Sequence, residues 1–320
     1  MRTLLLTATI IHLASSLRSP ALRPPPFRLM SAAGPPPSAP GPSAPVPSAP
    51  SPSAPNPYSA YPSELPPSTV ASLQSGLSAV SLSISRSSNP SCFLTPVSKT
   101  KPWQHLLPLI HHPTAPCRTF AENYAQECCE KMALVGKELP EGVGFAFIGA
   151  LQSNKINGLV AAGAGGRLAR VETISSGKAL GKFNAAIEGR WPGGETLDVL
   201  LQVDTSREAS KSGLDYEDAD AVNALVRRCR EECPRLVFRG LMTIGAAGDL
   251  AAFDRLRGLK AQVDAYVNEE LEGYPADMEK GAWLSMGMSG DYLDAIEHGA
   301  THVRVGSTIF GARDYPAAAK

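Results

Sequence analysis

The sequence lacks a C-x-x-C pair. Its six cysteines are Cys92, Cys117, Cys128, Cys129, Cys229 and Cys233, and none has the paired spacing of a zinc site. Cys229 and Cys233 are four apart in a predicted helix, which is ordinary helix-face spacing. Reduced, structural cysteines in a cytosolic or matrix protein are therefore expected. Net charge is also lacking. The 30 basic and 30 acidic residues cancel, so nothing draws the chain to nucleic acid or to an anionic membrane. The apolar run 4–14 is too short to span a bilayer. No G-x-G-x-x-G follows the first predicted strand, which leaves a dinucleotide crevice unsupported.

Acid is missing from the beginning of the chain, where no Asp or Glu occurs before Glu64. Residues 1–30 carry Arg2, Arg18, Arg23 and Arg28 among serines and apolar residues, the pattern of an organellar transit peptide. Met30 offers a second start that would give a cytosolic form. The expected location is cytoplasmic or mitochondrial. Residues 31–65 are almost wholly Pro, Ser, Ala and Gly. Such a segment buries too little apolar surface to offset its ordering entropy, so a disordered linker is expected. Without residues 1–65 the chain keeps 26 basic and 29 acidic residues, a slightly acidic body.

That body, 66–320, alternates between two periods. Strand patterns fall at 93–98, 118–121, 144–149, 170–175, 198–204, 237–244, 283–286 and 302–306. Helical patterns fall between most of them, at 122–138, 153–162, 177–188, 216–233, 250–272 and 292–298. A serine-rich, uncharged stretch at 68–84 reads as a weak leading helix. Eight strands with interleaved helices predict a single (β/α)₈ TIM barrel, with a doubly wound open sheet as the competitor.

In a barrel, chemistry gathers where strands end. The first strand, FLTPVSKTKP, ends by presenting Lys99. Taken alone, a solvated lysine in a turn explains it. The turns after strands seven and eight hold Ser289, Gly306 and Ser307 in glycine- and serine-rich settings. Barrels often bind phosphate there, although glycine also simply makes tight turns. Together, an amine at one strand end and a phosphate cradle at another suggest pyridoxal 5′-phosphate (PLP), held as a Schiff base on the lysine. Lys101 could supply a charge that lowers the amine's pKa. Other polar residues have plain explanations. Glu122 could orient Asn123 or Lys99, but a helix cap suffices to explain it. Lys155 reads as a ligand contact or a helix-start lysine. Lys211 could hold the cofactor transiently, and a solvated loop residue is the plainer reading. His298 and His302 read as structural.

Six stretches resemble the pyridoxal phosphate homeostasis protein family, the YggS/PROSC family. They are VSKTKP (97–102), FAENYAQE (120–127), FIGALQSNK (147–155), LLQVDTSREASKSGL (200–214), GLMTIG (240–245) and the long segment 284–315. The resemblance implies a barrel of the alanine racemase N-terminal type with PLP on Lys99. It implies further cofactor contacts from Asn123, Met242, Ser285, Ser289, Gly306 and Ser307. It also places Arg304 at the cofactor, facing the pyridine nitrogen, where an arginine would weaken the electron sink. The sequence departs from the family in three places. Ala121 stands where Gly is common, GFA precedes FIG where Trp-His is common, and Pro108, Pro113 and Pro116 interrupt the first crossover helix.

The resemblance implies a PLP carrier or buffer, with apo PLP enzymes as recipients. Related barrel enzymes complete their site with a second, β-rich domain, and only 14 residues follow Gly306. Weak catalysis at most, and a monomer, are expected. The alternatives are a weak PLP enzyme such as an amino-acid racemase, and a barrel for another phosphorylated metabolite.

Overall fold

A computed structural model describes residues 64–206, 213–246, 248–271, 273–278 and 280–312. The transit-peptide reading, nearly all of the linker reading and Lys211 lie outside the described residues.

The first element is α1 (Pro67–Ser85), whose buried residues Leu73, Leu77, Val80 and Ile84 form one helical stripe. Its composition predicts a weak helix, yet it runs 19 residues. Tertiary packing supplies what propensity does not. Gly76 lets it approach another backbone closely: a Cβ there would stand 2.9 Å from the carbonyl oxygen of Thr308.

Strands and helices then alternate. They run β1 (Phe93–Pro96), α2 (Leu107–Ile110), β2 (Thr119–Glu122), α3 (Ala125–Met132), β3 (Gly144–Phe147), α4 (Ile156–Gly163) and β4 (Leu168–Ile174). The second half continues with α5 (Gly177–Glu188), β5 (Leu197–Asp204), β6 (Leu214–Asp215), α6 (Ala219–Glu232), β7 (Leu236–Met242), α7 (Ala251–Glu270), β8 (Trp283–Ser285), α8 (Tyr292–Glu297), β9 (His302–Val305) and α9 (Ser307–Phe310). All pairings between these strands are parallel, in the order β1-β9-β8-β7-β5-β4-β3-β2. The short β6 pairs only with the end of β5. A bridge between Val97 and Ala121 closes the remaining seam, with Ser98 N–H donating to Ala121 O at 3.0 Å. The expected (β/α)₈ barrel is thus present.

The first crossover is irregular, as its prolines require. A 3₁₀ turn (Trp103–Leu106) leads into the four-residue α2, with Pro108 at its second position, where no intrahelical N–H is needed. His112 then organises the loop. Its Nδ1 accepts from Ala115 N–H at 3.1 Å, and its Nε2 lies 2.9 Å from Ser78 Oγ on α1. The helix expected over 122–138 is shorter than the pattern, and Gly136 turns the chain beyond it with φ 81°. Ser176 and Asp218 cap α5 and α6 through bonds to Ala179 N–H and Ala221 N–H.

Two layers of side chains result. The large apolar layer lies between strands and helices and includes Phe120, Phe145, Phe183, Leu201 and Leu256. The other lies inside the barrel, where a small apolar group of Val97, Ala121, Ala146 and Ile148 meets buried polar residues. Among the described residues, no helix is long and apolar enough to cross a membrane.

Candidate functional site: a lysine-bearing cavity at the barrel mouth

The strand ends converge on a cavity of about 280 Å³. That lies near the lower end of the roughly 300–1,000 Å³ usual for small-molecule sites. Lys99, Asn123, Met242, Ser289, Arg304, Gly306 and Ser307 all line it, as do Lys101 and the apolar side chains of Val97, Ile148, Ile244, Met288 and Phe310. Seven of the eight residues expected at the cofactor therefore meet in one place. Ser285 is the eighth. It is fully buried and lies behind Arg304, accepting from Arg304 Nη1 at 2.6 Å.

Lys99 is delivered by the continuation of β1. Val97 N–H donates to Val305 O at 2.9 Å, so the strand pairing runs one residue beyond Pro96. A turn then closes through Lys101 N–H to Ser98 O at 3.0 Å, and Thr100 takes φ 61°. Lys99 is the second residue of that turn. Lys101 is nearly buried, and its Nζ donates to Ala312 O at 2.8 Å.

Across the cavity, Ser289 Oγ accepts from Gly306 N–H at 3.0 Å and from Thr308 N–H at 3.5 Å. One hydroxyl oxygen collecting two backbone donors marks those amides as available to an anion. The turn that carries Ser289 depends on Gly287, which has φ 90° and no room for a Cβ beside Ala295. Asn123 sits at the end of β2. Its Oδ1 is buried and accepts no hydrogen bond. Gly149 makes this position possible, because a Cβ there would fall 1.8 Å from Asn123 O.

Beneath the cavity, Arg304 is held in place. Its Nη2 donates to Thr243 O at 2.7 Å and its Nη1 lies 4.0 Å from Glu172 Oε2. Ser285 Oγ donates to the same Glu172 oxygen at 2.6 Å. Arg170 Nε donates to Glu172 Oε1 at 2.6 Å, and its Nη2 donates to Thr95 Oγ1 at 2.6 Å. Burial alone would raise the Glu172 carboxyl, but the charges of Arg170 and Arg304 and the hydrogen bonds from Ser285 and Arg170 hold it below its ordinary value. Burial depresses the Arg304 pKa, and Glu172 opposes that shift.

Glu172 and Arg170 were not singled out from the sequence. Their signal was there: two opposite charges two residues apart in a strand buried on both faces must both point inward. Glu122 needs correction. It does not cap a helix, because α3 begins three residues later and no side chain caps it. It is fully buried at the end of β2 and accepts from Ser98 Oγ at 2.6 Å. Lys155 lies at the start of α4 and does not line the cavity, which fits the plainer reading. His302 stacks on Trp283 and Phe93, and His298 pairs with Asp254; both are structural.

Residues 83–314 match the family described as "Alanine racemase, N-terminal domain". The chain is 40% identical over 230 residues to the "Pyridoxal phosphate homeostasis protein" of Homo sapiens, covering 69% of this chain and 77% of that protein. The protein of the same name from Vibrio cholerae is 38% identical over 228 residues, covering 69% and 86%. The chain belongs to the pyridoxal phosphate homeostasis protein family. Among solved structures, PipY of Synechococcus elongatus with PLP bound is 25% identical, with a TM-score of 0.58 over 75% of this chain and all of that one. An alanine racemase of Clostridium difficile, 14% identical, shares the fold with a TM-score of 0.54, over 78% of this chain and 58% of its own.

The cavity's chemistry fits the cofactor carried by that PipY structure. It offers a primary amine on Lys99, the Ser289 hydroxyl with the Gly306 N–H already donating to it, and the buried amide oxygen of Asn123 without a donor.

Proposed function

We propose that this protein binds PLP through Lys99 and serves as its carrier and buffer. The observation that carries the reading is the meeting of Lys99, Gly306 with its N–H donating to Ser289, and Asn123 with its unpartnered oxygen in one cavity. Lys99 Nζ must shed a proton before it can condense with an aldehyde and release water. Lys101 and Arg304 line the same cavity. The Gly306 and Thr308 amides, Ser289 and Ser307 would hold the phosphate. Asn123 would meet a polar edge of the ring, and Met242, Ile148 and Ile244 would flank its faces. Ser285 fixes the guanidinium of Arg304. Bound PLP supplies an electrophilic carbon and an electron sink.

Carriage is favoured over turnover by what the cavity walls contain. Racemisation needs an acid–base group on the opposite side of the ring from the lysine. Among the described residues lining the cavity, the ionisable side chains are Lys99, Lys101 and Arg304, without a carboxylate, imidazole, thiol or phenol beside them. The name borne by the curated relatives supports the same reading. We propose apo PLP enzymes as recipients, reached through the mouth, where Tyr124, Ile244 and Met288 are exposed.

The experiment mixes the PLP-loaded chain with an apo PLP enzyme and follows the recovered activity, beside a chiral assay of alanine incubated with the loaded chain alone. Recovery without D-alanine is expected. Steady D-alanine formation, lost in Lys99→Ala, would establish the racemase reading instead. We further propose that residues 1–30 direct the chain to mitochondria. A fluorescent protein fused after residue 65 tests this, and a wholly cytosolic signal would refute it.

A further inference from the structure

Directly behind Lys99 lies a set of buried charges that the cavity does not use. Lys131, on the eight-residue α3, has no exposed surface. Its Nζ donates three hydrogen bonds: to Ser98 O at 2.8 Å, to Glu122 Oε1 at 2.6 Å and to Glu127 Oε1 at 2.9 Å. All the donors of an ammonium group are therefore spent. Two of the three acceptors hold the residues on either side of Lys99. Ser98 precedes it, and its carbonyl takes Lys131 while its hydroxyl donates to Glu122. Thr100 follows it, and its N–H donates to Glu127 at 2.8 and 3.1 Å, using both carboxylate oxygens.

Thr100 explains why such a grip is needed. It is the only non-glycine residue with positive φ among the described residues. Left-handed backbone is unfavourable for a β-branched residue. Left to itself, the turn would relax and Lys99 would lose its fixed direction. Stability alone does not account for the arrangement. A buried ion pair is commonly matched or bettered when well-packed apolar side chains replace both of its partners.

We propose that Lys131, with Glu122 and Glu127, is a positioning clamp that holds the Ser98–Lys101 turn in a strained shape so that Lys99 stands ready to capture its aldehyde. The clamp acts through the turn and touches no ligand. This rests on the PLP reading above.

The test compares the full chain with Glu127→Ala, Glu127→Gln, Lys131→Met and Lys99→Ala. The Glu127 side chain is 14% exposed, so its replacement should leave folding intact. Two quantities are read. The first is amide hydrogen exchange at Thr100 without PLP. The second is PLP affinity, with borohydride trapping and peptide mapping of the labelled lysine. For Glu127→Ala, which loses the acceptor of both Thr100 N–H and Lys131 Nζ, roughly tenfold faster exchange and roughly tenfold weaker binding are expected. Glu127→Gln keeps an acceptor for Thr100 N–H and should recover much of both. Lys131→Met strips the counter-charge from buried Glu122, so it should melt below the parent; at a temperature where it is still folded it should loosen Thr100 and spread the trapped label beyond Lys99. If the Glu127→Ala and Lys131→Met chains exchange and bind as the parent does, the clamp is overturned. If the parent itself takes up no PLP on Lys99, the function reading fails, and Thr100 exchange alone decides whether a clamp exists.

Discussion

His302 is the residue whose environment makes the sharpest demand. Burial, and then the charge of Arg170, pull its imidazole down to about 3, against a weaker upward pull from Glu172. The folded state therefore holds His302 neutral between its ordinary value of 6.5 and about 3, while the unfolded chain would protonate it. Its contribution to stability is full above pH 6.5 and drains away as pH falls towards 3, approaching roughly 5 kcal/mol. Glu172 behaves similarly at lower pH. Its depressed value means that its contribution is present above its ordinary 4.5 and is lost as pH falls through the lower folded value. Glu122 has the opposite sign. Burial, with Lys131 opposing, pushes it up to about 7, so its contribution is full below 4.5 and is lost as pH rises through about 7. Comparing urea midpoints of the parent and His302→Asn between pH 4 and 7.5 isolates the first effect. The gap in acid sensitivity should close in the variant; parallel profiles would show that His302 is not held neutral. Glu172→Ala strips the counter-charge from Arg170 and Arg304, and about 3–5 kcal/mol should be lost in the same measurement.

At the scale of elements, close backbone approaches matter as much as hydrophobic pattern. Gly149 lets the end of β3 lie against Asn123, and Gly76 lets α1 lie against Thr308 and Ile309, next to the Gly306–Ser307 turn. Gly149→Ala should cost about 1–3 kcal/mol or more and displace Asn123 from the cavity, read as lower melting temperature and weaker PLP binding. Wild-type values for both would contradict the crowding. Strands were legible because alternating or continuous apolar runs ended at turn residues, as in 144–149 and 198–204. The leading helix reads as weak in the sequence because it is completed by packing against α9 and α2, which no local pattern at 68–84 could reveal. The shortened α3 was overrun in the sequence reading because a helical pattern continues past Met132, while the turn is imposed later by Gly136.

For the whole molecule, the barrel turns separate sequence signals into one site. Lys99 and Gly306 are some two hundred residues apart in the chain, yet β1 and β9 are neighbouring strands, with Thr95 beside Arg304. The motif residues could be collected in advance because each lies at the end of a strand or within a few residues of it. The supporting charges were only half legible: the two-residue spacing of Arg170 and Glu172 puts both on one side of a strand, but what they and Lys131 hold lies in what the closed barrel and α3 bring against them. The central claim is that Lys99 is the anchor for PLP. The most direct test is an absorption titration of the full chain and of Lys99→Ala with PLP, followed by borohydride reduction and peptide mapping. A visible band and a pyridoxyl label on Lys99 are expected in the parent, and neither in the variant. A band of equal strength in both, or in neither, would contradict it.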